Sequence, residues 1–350
     1  MTGLGDCRAA RHHAASQREV VRRNRGKHGR TAGGDLFGGE SMRIVRQMLV
    51  LLALLAAAPA HARAEPLDPT ARTAIITAFA PEWAALLPMV EDQRRVDVNG
   101  VAIVTGRIAG KKVVLMESGV SMVNAAMNTQ LLIDRFRVKR ILFSGIAGGA
   151  DPALNIGDVS VPERWAQNFE VVMARETPGG RVLPPHAFAS GLPPFGMMYP
   201  RGVRIGTVRY PDFPADPALL ATARTIAPGI ALARCTGTAT RGTMADESAV
   251  CLVHGPKIVV GGTGVSSPAF VDNAAYREYL HASYGARVID MESAAVAQTA
   301  FANAIPFIAF RSLSDLAGGD AGENAMRVFM ALAADNSAAV VKAFVAALPD

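Results

Sequence analysis

Four short segments carry the ionisable residues that could do chemistry: Glu82, Glu117-Ser118-Gly119, Asp290-Met291-Glu292, and Arg311 through Asp315. Carboxylates can give or take a proton at a reacting bond, and an arginine beside them can hold negative charge. Singly, each has a structural explanation. Glu82 and Glu292 suit the first turn of a helix, where a carboxylate meets the dipole and unpaired N–H groups. Their common location favours chemistry instead. Each follows or ends a segment that reads as a strand, and ligands of open α/β sheets gather at the carboxyl ends of strands.

The elements that must position them follow from hydrophobic periodicity. From Thr73 onward, short β-branched runs alternate with helix-like segments, which predicts an α/β domain of three layers, α/β/α, around a mixed, largely parallel sheet. Ala74–Phe79 reads as a strand, and Pro81 then opens a helix where its missing N–H costs nothing. Val101–Arg107 and Lys112–Glu117 form a hairpin through Ala109-Gly110. Met122–Phe136 is a helix, Ile141–Ser144 a buried strand, and Gly145 to Gly149 a glycine-rich turn. Asp158–Val161, Ile258–Gly262, Val288–Asp290 and Phe307–Leu313 complete the strands. Asn273–Tyr284, Glu292–Asn303 and Asn324–Ala347 complete the helices. Residues 175–217, rich in Pro and Gly, read as a long surface excursion.

Charge is unevenly spread along the 350 residues, whose formal net charge is +6. Residues 1–64 hold 11 Lys+Arg and 4 Asp+Glu, leaving 25 basic and 26 acidic residues beyond Ala64, a net of about −1. A basic stretch that ends before the domain gives no reason to expect a nucleic-acid partner. Met42 to Gln47 is a short basic start and Met48 to Ala58 an apolar run too short to span a bilayer comfortably, the pattern of a signal peptide over 42–64. Ala62 and Ala64 flank Arg63 in A-x-A spacing, so cleavage is expected after Ala64, with a secreted or periplasmic product and no membrane association afterwards. Residues 1–41 read as a disordered extension or a mis-assigned start. The domain then occupies 65–350. With Cys7 in the removed segment, Cys235 and Cys251 are an even pair in an oxidising compartment, either bridged or separately buried. His186, His254 and His281 show no metal-ligand spacing, so neither a metal nor a cofactor is expected.

The run Val288-Ile289-Asp290-Met291-Glu292-Ser293-Ala294-Ala295-Val296-Ala297, followed by Phe310-Arg311-Ser312-Leu313-Ser314-Asp315, resembles the ribose and base signature of the nucleoside phosphorylase and nucleosidase superfamily. Thr77 to Glu82, Ser118-Gly119-Val120, Ser144 to Gly149 and Ile156-Gly157-Asp158 agree with it in order, over roughly residues 73–348. The sequence is most similar to the 5′-methylthioadenosine/S-adenosylhomocysteine nucleosidases. That resemblance implies Glu82 as the base that activates water and Asp315 as the acid at purine N7. It implies Met291 and Glu292 on the ribose hydroxyls, Arg311 and Ser118 around the water, and Phe270 stacked on the base beside the Val271 backbone. It also implies a homo-oligomer.

Those roles suit the chemistry of an N-glycosidic bond. Its cleavage leaves positive charge on the sugar and negative charge on the purine, so both ends need stabilising. The expected reactants are a purine nucleoside of the adenosine type and water, or phosphate in a phosphorylase. Phosphorolysis calls for arginines around glycine-rich backbone. The first loop, Phe79 to Trp83, has none, and Leu142-Phe143-Ser144 stand where the bacterial hexameric phosphorylases carry one, which favours hydrolysis. Phe270 to Glu278 also resembles the plant bark and vegetative storage proteins of the superfamily, leaving nucleoside binding without catalysis as a third reading. Ser121-Met122 replaces the Gly-Lys of many of the nucleosidases, a departure that leaves adenosine, inosine and methylthioadenosine open as substrates.

Overall fold

The structure, a computed structural model, describes residues 66–182, 190–237 and 249–349, all within one compact unit. The expected extension, the signal peptide with its cleavage point, Cys7 and His186 lie outside the described residues.

The chain builds a 12-stranded mixed sheet. β1 (Asp68–Thr77) leads into helix α1 (Ala80–Leu86), with Pro81 in its first turn as expected. β2 (Glu91–Val98), β3 (Val101–Ile108) and β4 (Lys111–Glu117) form an antiparallel meander, and β4 returns parallel to β1. The β3–β4 turn lies at Ala109-Gly110, both at positive φ, and the pairing Arg107↔Lys112 fixes its register. Helix α2 (Met122–Arg135) then feeds β5 (Phe136–Gly149), the spine of the molecule. The earlier part of β5 lies between β1 and the last strand, and its final residues cross to pair antiparallel with a later one.

One expectation about this spine changes. The run from Gly145 to Gly149 is strand, not turn: Gly145 pairs with Arg311 and Gly148 with Ile289. Glycine is needed at 145 because a Cβ there would collide with the Arg311 guanidinium and the Glu82 carboxylate.

After β6 (Val159–Val161) and β7 (Arg164–Gln167) come three short two-stranded ribbons among the described residues, Val171–Met173 with Met198–Pro200, Arg175–Thr177 with Gly180–Val182, and Val203–Ile205 with Val208–Tyr210. The expected surface excursion is thus partly ordered by local pairing, and it returns to the sheet at Phe213–Pro214. Helix α3 (Pro217–Ile226), β8 (Ile258–Val260), β9 (Thr263–Ser266), helix α4 (Ala274–Tyr284) and β10 (Ala286–Asp290) follow. Helix α5 (Ser293–Ala302), β11 (Phe307–Asp315) and helix α6 (Met326–Ala347) complete the chain. One face of the sheet packs on Ala125 and Leu132 of α2 and on the alanine-rich α5. The other packs on α1, α3 and α6 through Leu86, Leu219 and Phe344. Helix α6 is long and apolar enough to cross a membrane by composition, yet Val340, Val341, Phe344 and Val345 are buried against the sheet. Cys235 and Cys251 form a disulfide, resolving the open pairing.

Candidate active site

The ends of β1, β5, β10 and β11 meet around a cavity of about 190 Å³, lined among others by Phe79, Glu82, Ile146, Phe270, Met291, Glu292 and Asp315. Beneath it lies Arg311, fully buried in the middle of β11. Its Nε donates to Ser293 Oγ at 2.9 Å and lies 2.7 Å from Asp290 Oδ2. Nη1 reaches Glu82 Oε1 at 3.4 Å, Nη2 reaches Glu292 Oε2 at 3.3 Å, and the guanidinium carbon sits 4.1 Å from the Phe143 ring centroid. One cation therefore joins three carboxylates from three elements. Among the described residues no group of three or more His, Cys, Asp or Glu is placed to hold a metal ion. The guanidinium occupies the centre of this carboxylate set.

Glu82 owes its position to the short turn between β1 and α1. Its Oε2 accepts from the Ala78 N–H at 2.6 Å and its Oε1 from the Ile146 N–H at 2.8 Å, so one side chain bonds to the backbones of β1's exit and β5. Burial pushes its carboxyl above the ordinary range, against the pull of Arg311 and these two donors. Behind β5, Ser337 of α6 fixes the same backbone. Its Oγ accepts from the Gly145 N–H at 3.1 Å and donates to the Phe310 carbonyl at 2.9 Å.

Glu292 stands just before α5. Its Oε1 accepts from the Ser121 N–H at 2.8 Å, and burial, with neighbouring Asp290, pushes its pKa up to about 7 despite Arg311. Asp290 organises this helix start: its Oδ1 takes the N–H groups of Glu292 and Ser293, each at 3.2 Å, and the Ser266 hydroxyl. Arg311 is pulled down by burial, but the carboxylates Asp290, Glu82 and Glu292 outweigh that and hold it firmly protonated. With all three carboxylates ionised the buried cluster would carry two excess negative charges. Taking up a proton relieves that cost.

Asp315 lines the same cavity and has its own set of donors. Its Oδ2 accepts from Ser314 Oγ at 2.8 Å, and its Oδ1 from the Ala317 N–H at 2.8 Å and Asn324 Nδ2 at 3.3 Å. Burial raises its pKa, and these donors oppose the rise. Asn324 also reaches Asp272 Oδ1 at 3.1 Å, tying the Asp315 wall to the Phe270-Val271 wall. Phe270 is about half exposed at the cavity mouth.

Of the residues singled out in the sequence, Glu82, Phe270, Val271, Met291, Glu292 and Asp315 line the cavity, and Arg311 lies behind it. Ser118 does not line it: fully buried, its Oγ donates to the Gly119 carbonyl at 3.1 Å. Sequence reasoning passed over Asp290 and Ser293 as partners of Arg311, and Ser314 and Asn324 as partners of Asp315. Asp290 had a readable signal, since an Asp just ahead of an apolar helix commonly accepts its first N–H groups. Asn324 had none, because only the fold returns it to Asp315.

The phosphorylase superfamily matches residues 72–346. A 5′-methylthioadenosine/S-adenosylhomocysteine nucleosidase of Bacillus thuringiensis is 31% identical over 247 residues, 71% of this chain and 87% of its own. That of Mycobacterium bovis is 29% identical over 268 residues, 77% of this chain and 94% of its own. The crystal structure of the Neisseria meningitidis nucleosidase of the same name, in complex with methylthio-immucillin-A, has 25% identity and a TM-score of 0.59, covering 79% of this chain and 99% of that one. The chain belongs to the phosphorylase superfamily, among the nucleosidases that hydrolyse N-glycosidic bonds.

Proposed function

We propose that this nucleosidase is exported and hydrolyses purine nucleosides of the adenosine type, methylthioadenosine among them. Glu82 orients and deprotonates the attacking water, and Asp315 protonates the purine at N7. Met291 and Glu292 hold the ribose, whose developing positive charge the Glu292 carboxylate offsets. Phe270 stacks on the base beside the Val271 backbone. The observation that carries this reading is that Glu82, Glu292 and Asp315 line one cavity, each held by backbone N–H donors.

Water as the acceptor has a physical basis. A phosphate dianion would seek free N–H donors and an unspent arginine. Here the Ala78 and Ile146 N–H groups already donate to Glu82, and Arg311 already faces three carboxylates. The Cys235–Cys251 disulfide supports export, since such bonds persist in oxidising compartments.

Adenosine, inosine and methylthioadenosine, each incubated with the protein with and without inorganic phosphate, test the reaction. Free base and free sugar in the absence of phosphate are expected. A sugar 1-phosphate formed only with phosphate would overturn hydrolysis, and tight nucleoside binding without turnover would return the storage reading. N-terminal sequencing of the protein from an extracytoplasmic fraction should begin at Glu65; a cytosolic protein with an intact leader would overturn export.

A further inference from the structure

The loop between β11 and α6, residues 316–325, folds back onto the start of α4. Its Ala317 carbonyl accepts from the Asn273 N–H at 3.1 Å. Gly318, at φ 91°, approaches so closely that a Cβ there would lie 2.3 Å from the Asn273 nitrogen, a backbone atom that cannot give way. Gly319 lies against the Arg277 guanidinium, whose Nε donates to the Gly149 carbonyl at 2.8 Å. Asn273 caps α4 in turn, its Oδ1 accepting from the Tyr276 N–H at 2.8 Å. The loop that follows Asp315 is therefore seated on the segment that follows Phe270 and Val271.

Asn324 closes this seat from the far end of the loop. Its Oδ1 accepts from the Met326 N–H at 3.0 Å, which fixes the oxygen end of the amide and leaves both amide hydrogens to donate. Nδ2 lies 3.3 Å from Asp315 Oδ1 and 3.1 Å from Asp272 Oδ1, so one neutral group bridges two carboxylates. Starting a helix requires only the oxygen, and an aspartate or serine would supply that equally well. The two donated bonds need the amide. Asp315 Oδ1 also accepts from the Ala317 N–H at 2.8 Å, and two donors on that oxygen hold negative charge there. The transferable proton then belongs on Oδ2, 2.8 Å from Ser314 Oγ.

We infer that Asn324 is a positioning residue for protonation of the leaving group: its amide orients the Asp315 carboxyl and, through Asp272, holds it in register with the wall that stacks the base. This rests on Asp315 being the acid at purine N7. As the C–N bond breaks, its electron pair passes to the purine and the proton moves from Asp315 Oδ2 to N7. A carboxyl free to turn about its Cβ–Cγ bond presents Oδ2 to N7 only part of the time, and a misplacement of about 1 Å costs about 10² in rate. The amide has a second effect that can be read in solution. It is one of the donors that oppose the rise of the Asp315 pKa on burial, so its removal lets Asp315 keep its proton to higher pH.

The test follows single-turnover cleavage of methylthioadenosine across a pH series in the full protein and in Asn324→Ala, Asn324→Asp, Asp272→Ala and Asp315→Asn. Glu323→Ala, at an exposed neighbour in the same loop, is the control. Asn324→Asp keeps an oxygen for the Met326 N–H and loses both donated bonds, so it carries the test even if Asn324→Ala does not fold; melting curves restrict the comparison to folded protein. Both Asn324 variants should lose at least tenfold in rate, and their alkaline limb should move to higher pH by about one unit. Asp272→Ala should lose less, and combined with Asn324→Ala it should add less than its separate effect, as partners in one bridge do. Glu323→Ala should match the wild type. A lower rate with an unmoved limb would leave Asn324 a purely structural role and overturn the inference, as would a loss of equal size in Glu323→Ala. Wild-type behaviour of the Asn324 variants beside an inactive Asp315→Asn would overturn the inference alone. A wild-type rate in Asp315→Asn would overturn the acid assignment itself, and the inference with it.

Discussion

At the scale of single residues, the site separates its ionisable groups by what each carboxylate can accept. Asp315 takes three donors on its own wall, whereas Glu82, Asp290 and Glu292 share one guanidinium. If Asp315 delivers the proton to the leaving purine, Asp315→Asn should lower kcat by about 10²–10⁴ while nucleoside binding survives. Burial raises the Asp315 pKa, so its acid form drains away as pH rises, and the wild-type rate should fall on the alkaline side. The residual activity of the variant should lack that limb. A variant with wild-type kcat would remove Asp315 from the mechanism. Glu292 makes a different prediction, about stability. Its pKa rises from the ordinary 4.5 to about 7 on folding, so the folded state binds more protons between those values. By linkage, its contribution is fully present below about 4.5 and is lost as pH climbs through about 7. Melting temperatures of the wild type and Glu292→Gln, measured from pH 4.5 to 8, should therefore diverge, with the wild type losing ground as pH rises. Parallel curves would mean that Glu292 titrates as it does in the unfolded chain.

At the scale of elements, the strands and helices that carry the site were legible where burial imposed a period. The β3–β4 hairpin, α2, α4 and α6 fall within a few residues of their expected limits, because apolar residues on one face declare them, whereas β1 begins at Asp68, ahead of the expected Ala74, because its first residues are only partly buried. β2 was not legible: Glu91 to Arg95 are all exposed, so no alternation marks the strand. The helix Pro217–Ile226 did have a signal in Asp216-Pro217, the cap whose Oδ1 accepts from Ala218 and Leu219 N–H at 2.9 and 3.0 Å. The glycines of β5 misled because glycine is read as turn, whereas at 145 it clears room for Arg311 and Glu82. Ser121, recognised as a departure from the family pattern, acts through its backbone. It stands at φ 80°, ψ 157°, a region other residues avoid, with its N–H on Glu292 and its chain entering α2. Such strain costs about 1–3 kcal/mol, and glycine gives back about 0.5–1 kcal/mol in unfolded-chain entropy. Ser121→Gly should therefore stabilise the protein by about 1 kcal/mol, read from denaturant midpoints, with kcat and KM nearly unchanged. Destabilisation would show that the Ser121 side chain has work to do beyond its N–H.

At the scale of the whole molecule, catalysis and constraint occupy different parts of the chain. The site is assembled from β1, β5, β10 and β11, whereas the disulfide closes a segment between α3 and β8. That segment is tied to α6 through Asn336, which accepts from the Ala233 N–H at 2.7 Å and donates to its carbonyl at 3.0 Å. Next to it, Arg234 Nε donates to the Leu252 carbonyl at 2.6 Å, drawing the two cysteine-bearing stretches together. The cysteines are 16 residues apart, and closing a loop of that size removes about 3 kcal/mol of unfolded-state entropy. The paired variant Cys235→Ser, Cys251→Ser should thus lose about 2–4 kcal/mol, seen as a lower melting temperature, and reduction of the wild type should reproduce the loss. Turnover measured well below the melting transition should remain, because among the described residues none of the hydrogen bonds that hold Glu82, Glu292 or Asp315 passes through the cysteine-bearing segment. Loss of turnover at a temperature where the variant is still folded would instead link that segment, through Asn336 and its neighbour Ser337, to the Gly145 backbone under the site. The same measurement bears on location. A protein that depends on this bond for several kcal/mol is at its most stable outside a reducing cytosol, which is where the proposed export would take it.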